Sequence, residues 1–241
     1  MFFNKRIIHS LLVLLLGCGF LAACDGLSAN KLSSEDNLLI WSENRDKSFP
    51  SYDIGEMTKE EAEELMKEKL QLMLTEAFKN ATGILTEQLT MDNQTLDYTQ
   101  YYSQSSAAEV DYSEYLVFKT SEGYYPISAQ VEIKYTFDKG KKTVSSTREA
   151  VVVKNIASTE QFNGKDQKKL ISQLASAYNI SENDFSMKLS ELSGKYNETI
   201  YLYDTLETAK EDESLGKRIY VKFADNGVVS IIGLVLEDFR K

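Results

Sequence analysis

A helical repeat of apolar positions between Thr58 and Gly83 predicts one long helix. Thr58 and Glu61 have the spacing of a capping box, in which the threonine hydroxyl and the glutamate carboxylate each accept from the other residue's backbone amide. Gly83 is the residue type that commonly ends a helix in the left-handed conformation. At 1.5 Å per residue, this helix would be about 37 Å long. The repeating apolar residues are Ala62, Leu65, Met66, Leu70, Met73, Ala77, Phe78 and Ala81.

Alternation of apolar and polar residues in the middle of the chain predicts an antiparallel hairpin. Its first strand alternates polar residues with the apolar side chains of Val131, Ile133, Tyr135 and Phe137. One face of this strand is therefore expected to be buried and the other wet. A turn signal over residues 138–141 leads into a partner strand over residues 144–154. Residues 84–112 are polar and rich in Tyr, Gln and Ser without a clear period, and we interpret them as a solvated loop whose rings pack on the sheet edge.

A second group of elements follows residue 163. Helical spacing predicts a helix whose apolar face is formed by Leu170, Ile171, Leu174, Ala177 and Tyr178. Ser181 and Asp184 mark the start of a short helix, whose inward side chains would be Phe185, Leu189 and Leu192. Strands are predicted over residues 199–204, 218–223 and 228–236. The last of these is apolar on both faces, so we expect it to be a central or covered strand.

The order of elements is helix, antiparallel strands, helices and antiparallel strands, which indicates an α+β fold with helices packed on antiparallel sheet. Two organisations fit this order. In one, residues 56–158 and 159–241 are related halves, each a helix with a curved sheet, by analogy with cystatin-like and NTF2-like modules. In the other, one continuous sheet is covered by all the helices. Neither has the strand–helix alternation of a Rossmann or periplasmic-binding-protein sheet.

The N-terminus has the organisation of a secretory leader. Lys5 and Arg6 precede an apolar run over residues 7–20, which is shorter than the roughly 20 apolar residues that span a membrane. The sequence Leu-Ala-Ala-Cys that ends at Cys24 resembles the lipobox of bacterial lipoproteins. The resemblance implies a signal peptide over residues 1–23, a diacylglyceryl group on Cys24, and attachment to the outer, extracytoplasmic face of the cell membrane. Two alternatives are lipidation at Cys18 and an ordinary secreted protein with a chance cysteine.

Residues 24–55 would carry the lipid and act as a tether. A flexible coil of about 30 residues averages roughly 30 Å end to end. The apolar cluster over residues 38–41 interrupts this segment. It favours a short strand or patch that packs on the domain over a partner-binding motif, and the tether would then end near Glu35. Asp25 resembles the inner-membrane retention signal of lipoproteins in double-membrane bacteria, and it would have no such meaning in a single-membrane organism.

Removal of residues 1–23 restricts the available chemistry. The leader contains the only histidine, His9, and one of the two cysteines. The other cysteine, Cys24, would carry lipid, so disulfides, thiol nucleophiles, Cys or His zinc sites and Ser-His-Asp triads are excluded. Without Lys5 and Arg6, 25 basic residues oppose 37 acidic ones, and the net charge changes from −10 to −12. This acidic chain has no basic run, which argues against nucleic acid and anionic lipid headgroups as partners.

Carboxylates are the catalytic groups that remain plentiful. Acidic and aromatic residues are interleaved between positions 92 and 115; the acids are Asp92, Asp97, Glu109, Asp111 and Glu114, and the tyrosines are Tyr98, Tyr101, Tyr102, Tyr112 and Tyr115. Rings beside paired acids are typical of sugar-cleaving sites, whereas tyrosines also suit binding surfaces. No calcium-loop spacing occurs among these acids. The S-x-x-K pattern from Ser214 to Lys217 lacks the accompanying motifs of penicillin-binding proteins.

These features favour a non-enzymatic, lipid-anchored lipoprotein that binds another envelope protein or a cell-wall component. The five tyrosines are its predicted contact residues, and neither a cofactor nor a metal is expected. The first alternative is a carboxylate-dependent cell-wall glycoside hydrolase, which would need two acids in one cleft, one with a raised pKa. The second is the substrate-binding lipoprotein of a transporter, for which the chain is short and lacks the α/β alternation.

Overall fold

The structure, a computed structural model, describes residues 32–156 and 160–240, with the backbone alone for residues 52–56. Within these residues, nine strands form one antiparallel sheet. The strands are β1 Ser42–Asn44, β2 Tyr52–Met57, β3 Gln94–Ser105, β4 Glu109–Thr120, β5 Ile127–Asp138, β6 Thr143–Asn155, β7 Thr199–Asp204, β8 Leu215–Phe223 and β9 Val229–Asp238. Their spatial order is β2-β3-β4-β5-β6-β9-β8-β7, and β1 pairs with the first residues of β6.

The longer helices pack on one face of this sheet and enclose the hydrophobic core with it. The α-helices are α1 Lys59–Glu64, α2 Glu76–Leu89, α3 Gln167–Ala177, α4 Ser186–Ser190 and α5 Leu206–Glu211. A π-helical segment, Leu65–Leu70, continues α1, and short 3-10 turns occur at Asp36–Leu39 and Glu182–Asp184. The predicted α+β class, with helices on an antiparallel sheet, is therefore confirmed. No helix in the described part of the chain is long and apolar enough to cross a membrane.

The hairpin of β5 and β6 follows the predicted alternation. Val131, Ile133 and Tyr135 are fully buried, while the polar residues between them are half-buried on the other face. The turn forms as expected, because Asp138 Oδ1 accepts hydrogen bonds from the Gly140 and Lys141 amides at 2.8 and 3.0 Å. A bulge between Lys134 and Tyr135 shifts the register of the pair. The hairpin thus presents one apolar face to the helices.

The later elements also match their patterns. α3 begins after Asp166, whose carboxylate accepts from the Lys168 and Lys169 amides at 2.9 and 3.0 Å. β9 lies between β6 and β8, as expected for a strand that is apolar on both faces. Helix α5 was not predicted. It packs closely on β8, on the face opposite to the core: a Cβ on Gly216 would lie 2.9 Å from Leu206 Cδ2 and 3.1 Å from Leu206 Cα, so a larger residue there would displace part of this helix.

The long helix predicted between Thr58 and Gly83 is wrong as a single element. Its capping box is present, with Thr58 Oγ1 accepting from the Glu61 amide at 3.2 Å and Glu61 Oε2 accepting from the Thr58 amide at 2.8 Å. The helical path ends at Gln71, a left-handed residue with φ of 54°. A new helix, α2, begins after Thr75 and passes through Gly83 without stopping.

Contacts with the sheet explain this break. Leu70 and Leu72 are both buried, although residues two apart point to nearly opposite sides of a helix. Arg45 Nη1 donates to the Leu70 carbonyl oxygen at 2.6 Å, and Tyr135 Oη donates to the Met73 carbonyl oxygen at 2.8 Å. These side chains satisfy carbonyl groups that a continuous helix would bond internally. Tertiary contacts therefore outweigh the helical periodicity.

The solvated loop predicted over residues 84–112 is also wrong. Residues up to Leu89 complete α2, and most of the remainder forms β3 and the first part of β4, each of which is 12 residues long. Tyrosine and threonine favour strands. The helices cover only one face of β3 and β4, so the opposite face of these strands can carry polar residues. A bulge between Leu96 and Tyr98 further disturbs the alternation in β3.

Strands from the two stretches 56–158 and 159–241 meet within the sheet. β6 pairs with β9 from Arg148 to Lys154, and Leu32–Lys241 forms one compact unit. The apolar cluster over residues 38–41 packs on this unit: Leu39 is buried, and the Trp41 ring lies edge-on to the Tyr135 ring with centroids 5.8 Å apart. Residues Asp36–Asn44 therefore lie in the folded body rather than in a tether, as the alternative that ends the tether near Glu35 predicts.

Candidate ligand-binding groove

A groove of about 630 Å³ opens between the broken helix and the strands β3 and β4. Its volume lies in the range of about 300–1,000 Å³ that is usual for small-molecule sites. Most of its wall is apolar, and the side chains that form this wall are Met66, Leu72, Met73, Phe78, Leu96 and Leu116. Met73 is 61% exposed at the rim, an unusual exposure for a large apolar side chain. The groove can therefore bury the apolar part of a ligand.

One wall of the groove has irregular backbone. It consists of the π-helical Leu65–Leu70, the left-handed Gln71, and residues 72–74, which have no regular secondary structure. The Leu72 amide still donates to the Met66 carbonyl oxygen at 2.8 Å, so the turn is closed. π-helical turns and strained residues concentrate at functional sites, because the surrounding structure must hold them in place. Here the bonds from Arg45 and Tyr135 hold the segment against the sheet.

Glu114 is the half-buried acid in the groove. Tyr112 Oη donates to its Oε1 at 3.2 Å, and Thr82 Oγ1 donates to its Oε2 at 3.4 Å. Burial raises the pKa of Glu114 above its ordinary value, while these two hydrogen bonds act in the opposite direction. Among the described residues, no lysine or arginine nitrogen lies within 4.0 Å of its carboxylate. The carboxyl group thus lies in a mostly apolar site without a direct ion pair, and the charge of Lys59 acts on it only from further away.

Tyr101 lies beside Glu114 in the sheet. The two residues are directly paired between β3 and β4, so their side chains share a face. Burial raises the pKa of the Tyr101 hydroxyl, and the charge of Glu114 raises it further. An aromatic ring and a carboxyl group therefore meet on the floor of the groove.

The lysines that line the groove already have partners. Lys59 pairs with Glu63 at 3.7 Å, Lys67 with Glu68 at 3.7 Å, and Lys79 with Glu76 at 2.7 Å. Each of these side chains is about half exposed or more, so the pairs are screened by solvent and hold their partners weakly. The glutamates therefore balance the charges of these three lysines, whereas Glu114 forms no ion pair of its own among the described residues.

The five predicted contact tyrosines do not form one surface. Tyr101 and Tyr112 face the helices, and Tyr112 is buried. Tyr98, Tyr102 and Tyr115 lie on the opposite face, because successive side chains of a strand alternate. On that face, Tyr102 Oη donates to Gln100 Oε1 at 3.0 Å and Tyr115 Oη donates to Ser128 Oγ at 2.9 Å. Only Tyr101 lines the groove.

The five candidate acids are also dispersed. Asp92 is exposed in the turn before β3, and Asp97 accepts from Tyr125 Oη at 3.1 Å at the bulge. Glu109 pairs with Lys134 at 3.1 Å. Asp111 is half-buried on the face away from the helices, where burial raises its pKa. Of the five, Glu114 alone reaches the groove.

Sequence reasoning missed the second acid of the groove, Glu63 on α1, as well as Thr82 and the irregular wall. The sequence did contain a signal for the break in the helix. Leu70 and Leu72 conflict with a helical stripe, and Thr75 is an N-cap residue type whose hydroxyl accepts from the Phe78 amide at 3.1 Å. In the S-x-x-K pattern, Lys217 is buried and donates to Asp36, so this lysine is engaged elsewhere.

Within residues 32–156 and 160–240, no group of three or more His, Cys, Asp or Glu side chains is placed to hold a metal ion. No protein-family model, curated protein or solved structure matches the chain. The likeness to cystatin-like and NTF2-like modules is therefore an analogy of element order.

Proposed function

We propose that the chain is an extracytoplasmic lipoprotein, anchored through Cys24, that binds a ligand in the groove without transforming it. The observation that carries this proposal is the groove itself, which combines apolar walls with the few polar groups of Glu114, Tyr101 and Thr82. A concave, mostly apolar site with a few convergent polar groups is typical of ligand binding. Its irregular wall adds support, since such backbone is retained mainly where it has a role.

The proposed anchor would hold this groove near the membrane. Cys24 and the lipobox lie outside the described residues, whereas the folded body already includes Asp36, whose carboxylate pairs with Lys217. Only residues 25–35 thus separate the lipidated position from Asp36. This is shorter than the tether expected from residues 24–55. A ligand from the membrane surface would then be within reach of the groove.

The anchor predicts a defined N-terminus. Mass spectrometry of the protein from its native membrane is expected to show a chain that begins at Cys24 and carries a diacylglyceryl thioether, because the Leu-Ala-Ala-Cys site resembles a lipobox. Cys24→Ser should leave the leader uncut, while Cys18→Ser should change nothing. An unmodified Cys24 in the native protein would refute the anchor.

Filling the groove should abolish ligand binding. Thr99 faces the groove from β3, so Thr99→Trp would occupy its floor. We expect the neutral apolar probe N-phenyl-1-naphthylamine to bind the mature protein in a saturable one-to-one manner, with a rise in fluorescence. Thr99→Trp should weaken this binding at least about 10-fold, the effect of losing a few buried methylene contacts.

The matched control is Thr95→Trp. Thr95 lies on the same strand but on the opposite, exposed face, so the same substitution should leave probe binding unchanged. Circular dichroism would establish that both variants are folded. Equal binding by the two variants, or no saturable binding by the unsubstituted protein, would rule out the groove as the ligand site.

One observation favours a second candidate, the cell-wall glycoside hydrolase. The groove contains two acids, Glu114 and Glu63, and the pKa of Glu114 is raised, as a general acid requires. The discriminating experiment incubates the mature protein with purified cell-wall polymer between pH 4 and 8. Fragments released by the unsubstituted protein but not by Glu114→Gln would establish the hydrolase and overturn the non-catalytic role.

A further inference from the structure

The charges around the groove restrict what can bind there. Its three lysines are exposed and paired with glutamates, so they offer little net attraction to an anion. Glu114 is half-buried and forms no ion pair within 4.0 Å among the described residues; Lys59, which pairs with Glu63, acts on it only from further away. A charge taken out of water without a partner is unfavourable. A cation delivered by a ligand would remove this penalty, whereas an anion would increase it.

The surroundings of Glu114 fit an ammonium group. The Tyr112 hydroxyl donates to one of its oxygens, and the Thr82 hydroxyl, which also reaches the Phe78 carbonyl oxygen, lies near the other; acceptor capacity remains on each oxygen. Tyr101 lies directly across from it on β3. A cation near an aromatic ring gains from the electrons of the ring face. A carboxylate and a ring on one floor are therefore complementary to an ammonium ion.

The remainder of the groove fits a hydrocarbon chain. Met66, Leu72 and Phe78 form an apolar surface that lines the groove together with Glu114 and the exposed Met73. Methionine side chains adapt to ligands of varied shape. A polar or highly hydroxylated ligand would gain little from contact with these apolar walls. The site is thus amphiphilic: Glu63 is paired with Lys59, and Glu114 is an acid without an ion pair in an otherwise mostly apolar groove.

We infer that the groove binds a small amphiphilic ammonium compound, with its cationic head on Glu114 and Tyr101 and its hydrocarbon part along the apolar wall. This inference rests on the proposed function, since it names the ligand class of the same groove. The volume of about 630 Å³ is suited to a small molecule rather than to a folded partner.

The test compares three probes that share one chain length and differ only in head group: n-octylammonium, n-octanol and n-octanoate. Each is titrated below its micelle concentration into the mature, folded protein by calorimetry at pH 8. Octylammonium should bind about 10- to 100-fold more tightly than octanol, which is the effect of one charge-assisted hydrogen bond. Octanoate should bind more weakly than octanol, because its charge repels that of Glu114.

The Glu114→Gln variant should remove the preference for the cation. Octylammonium affinity should fall about 10- to 100-fold to the level of octanol, while octanol affinity should change little. The matched control is Asp111→Asn, which changes another half-buried acid of β4 on the opposite face. This control should leave all three affinities unchanged.

The pH dependence provides a second readout. Ionised Glu114 is needed for the cation but not for the alcohol, so octylammonium affinity should fall as the pH is lowered through the raised pKa of Glu114. The groups that face this carboxyl group are Tyr112, Thr82, Tyr101, Lys59 and Glu63, and none of them is a histidine. Octanol affinity should stay flat over the same range.

The outcomes separate two kinds of failure. If octanol and octylammonium bind with equal affinity, or if octanoate binds best, the ligand class is wrong while the groove remains a binding site. If none of the probes binds, both the ligand class and the proposed function are wrong. Tight binding of a lysine-containing apolar peptide but not of octylammonium would assign the groove to a protein partner and overturn the small-molecule inference.

Discussion

Replacement of Glu149 by glutamine is expected to raise the free energy of unfolding by about 3 kcal/mol at pH 8 and to leave it nearly unchanged at pH 4.5. Glu149 lies on the helix-facing side of β6 and is 1% exposed. Its Oε1 accepts a hydrogen bond from Thr75 Oγ1 at 2.5 Å. The other oxygen lies near the Tyr178 hydroxyl without a well-aligned hydrogen bond, and both atoms are buried. The site therefore suits a neutral group better than a charged one.

Burial raises the pKa of Glu149 to about 7, and the hydrogen bond from Thr75 and the nearby Tyr178 hydroxyl only partly oppose this. The ordinary value of 4.5 applies in the unfolded chain. Between these two values the folded state binds more protons than the unfolded state, so stability falls as the pH rises from 4.5 to 7 and then levels off. A difference of about 2.5 pKa units corresponds to about 3 kcal/mol. Glutamine cannot ionise, so the Glu149→Gln variant does not lose this stability as the pH rises.

Urea unfolding at pH 4.5, 6 and 8 would measure the effect. The difference between variant and unsubstituted protein at each pH cancels the contributions of other carboxyl groups. Glu237→Gln, on the opposite face of β9, serves as the control and should change stability by less than about 0.5 kcal/mol at every pH. A Glu149→Gln difference that does not grow with pH would contradict the assignment of a protonated core carboxyl group.

The second large effect is expected at the N-terminal end of the folded body. Asp36→Ala should lower the free energy of unfolding by about 3 kcal/mol, because removal of one partner leaves the other charge buried. Lys217 Nζ lies 2.5 Å from Asp36 Oδ1, and its side chain is only 7% exposed. The Asn179 carbonyl oxygen, 3.1 Å away, would be its remaining acceptor.

Replacement of the other partner, Lys217, should lower the free energy of unfolding less. Lys217→Met removes the buried charge and keeps most of the stem, while Asp36, at 28% side-chain exposure, can be hydrated again. We expect a loss of about 1 kcal/mol or less from this variant. Urea unfolding of both variants at pH 7 gives the comparison. A larger loss for Lys217→Met than for Asp36→Ala would contradict this account of which charge is trapped.

Local signals in the sequence were sufficient for several elements. The capping box at Thr58, the alternation around Ile133 and the turn at Asp138 each depend on residues close together in the chain. The same holds for β7, which was predicted with its observed bounds. Such elements could be predicted because the interactions that define them are short-range. The α+β class followed from their order.

The features that were missed depend on contacts distant in sequence. The break after Leu70 requires Arg45, Tyr135 and Glu149, which come from three separate strands or loops. The strand character of residues 94–105 depends on pairing with β4 and on cover by the helices. No periodicity within one segment encodes these partners. The groove is bounded by the same break, so its position could not be predicted either.

The Asp36–Lys217 pair also has a mechanical consequence. A force applied through the N-terminus would load this ion pair and the neighbouring bond from Asn179 Nδ2 to the Glu35 carbonyl oxygen, 2.8 Å long, before it reached β1. Both interactions connect the turn at Glu35 and Asp36 to residues more than 140 positions further along the chain. They would therefore yield first and lengthen the N-terminal segment by several residues, while the nine-stranded sheet stays intact.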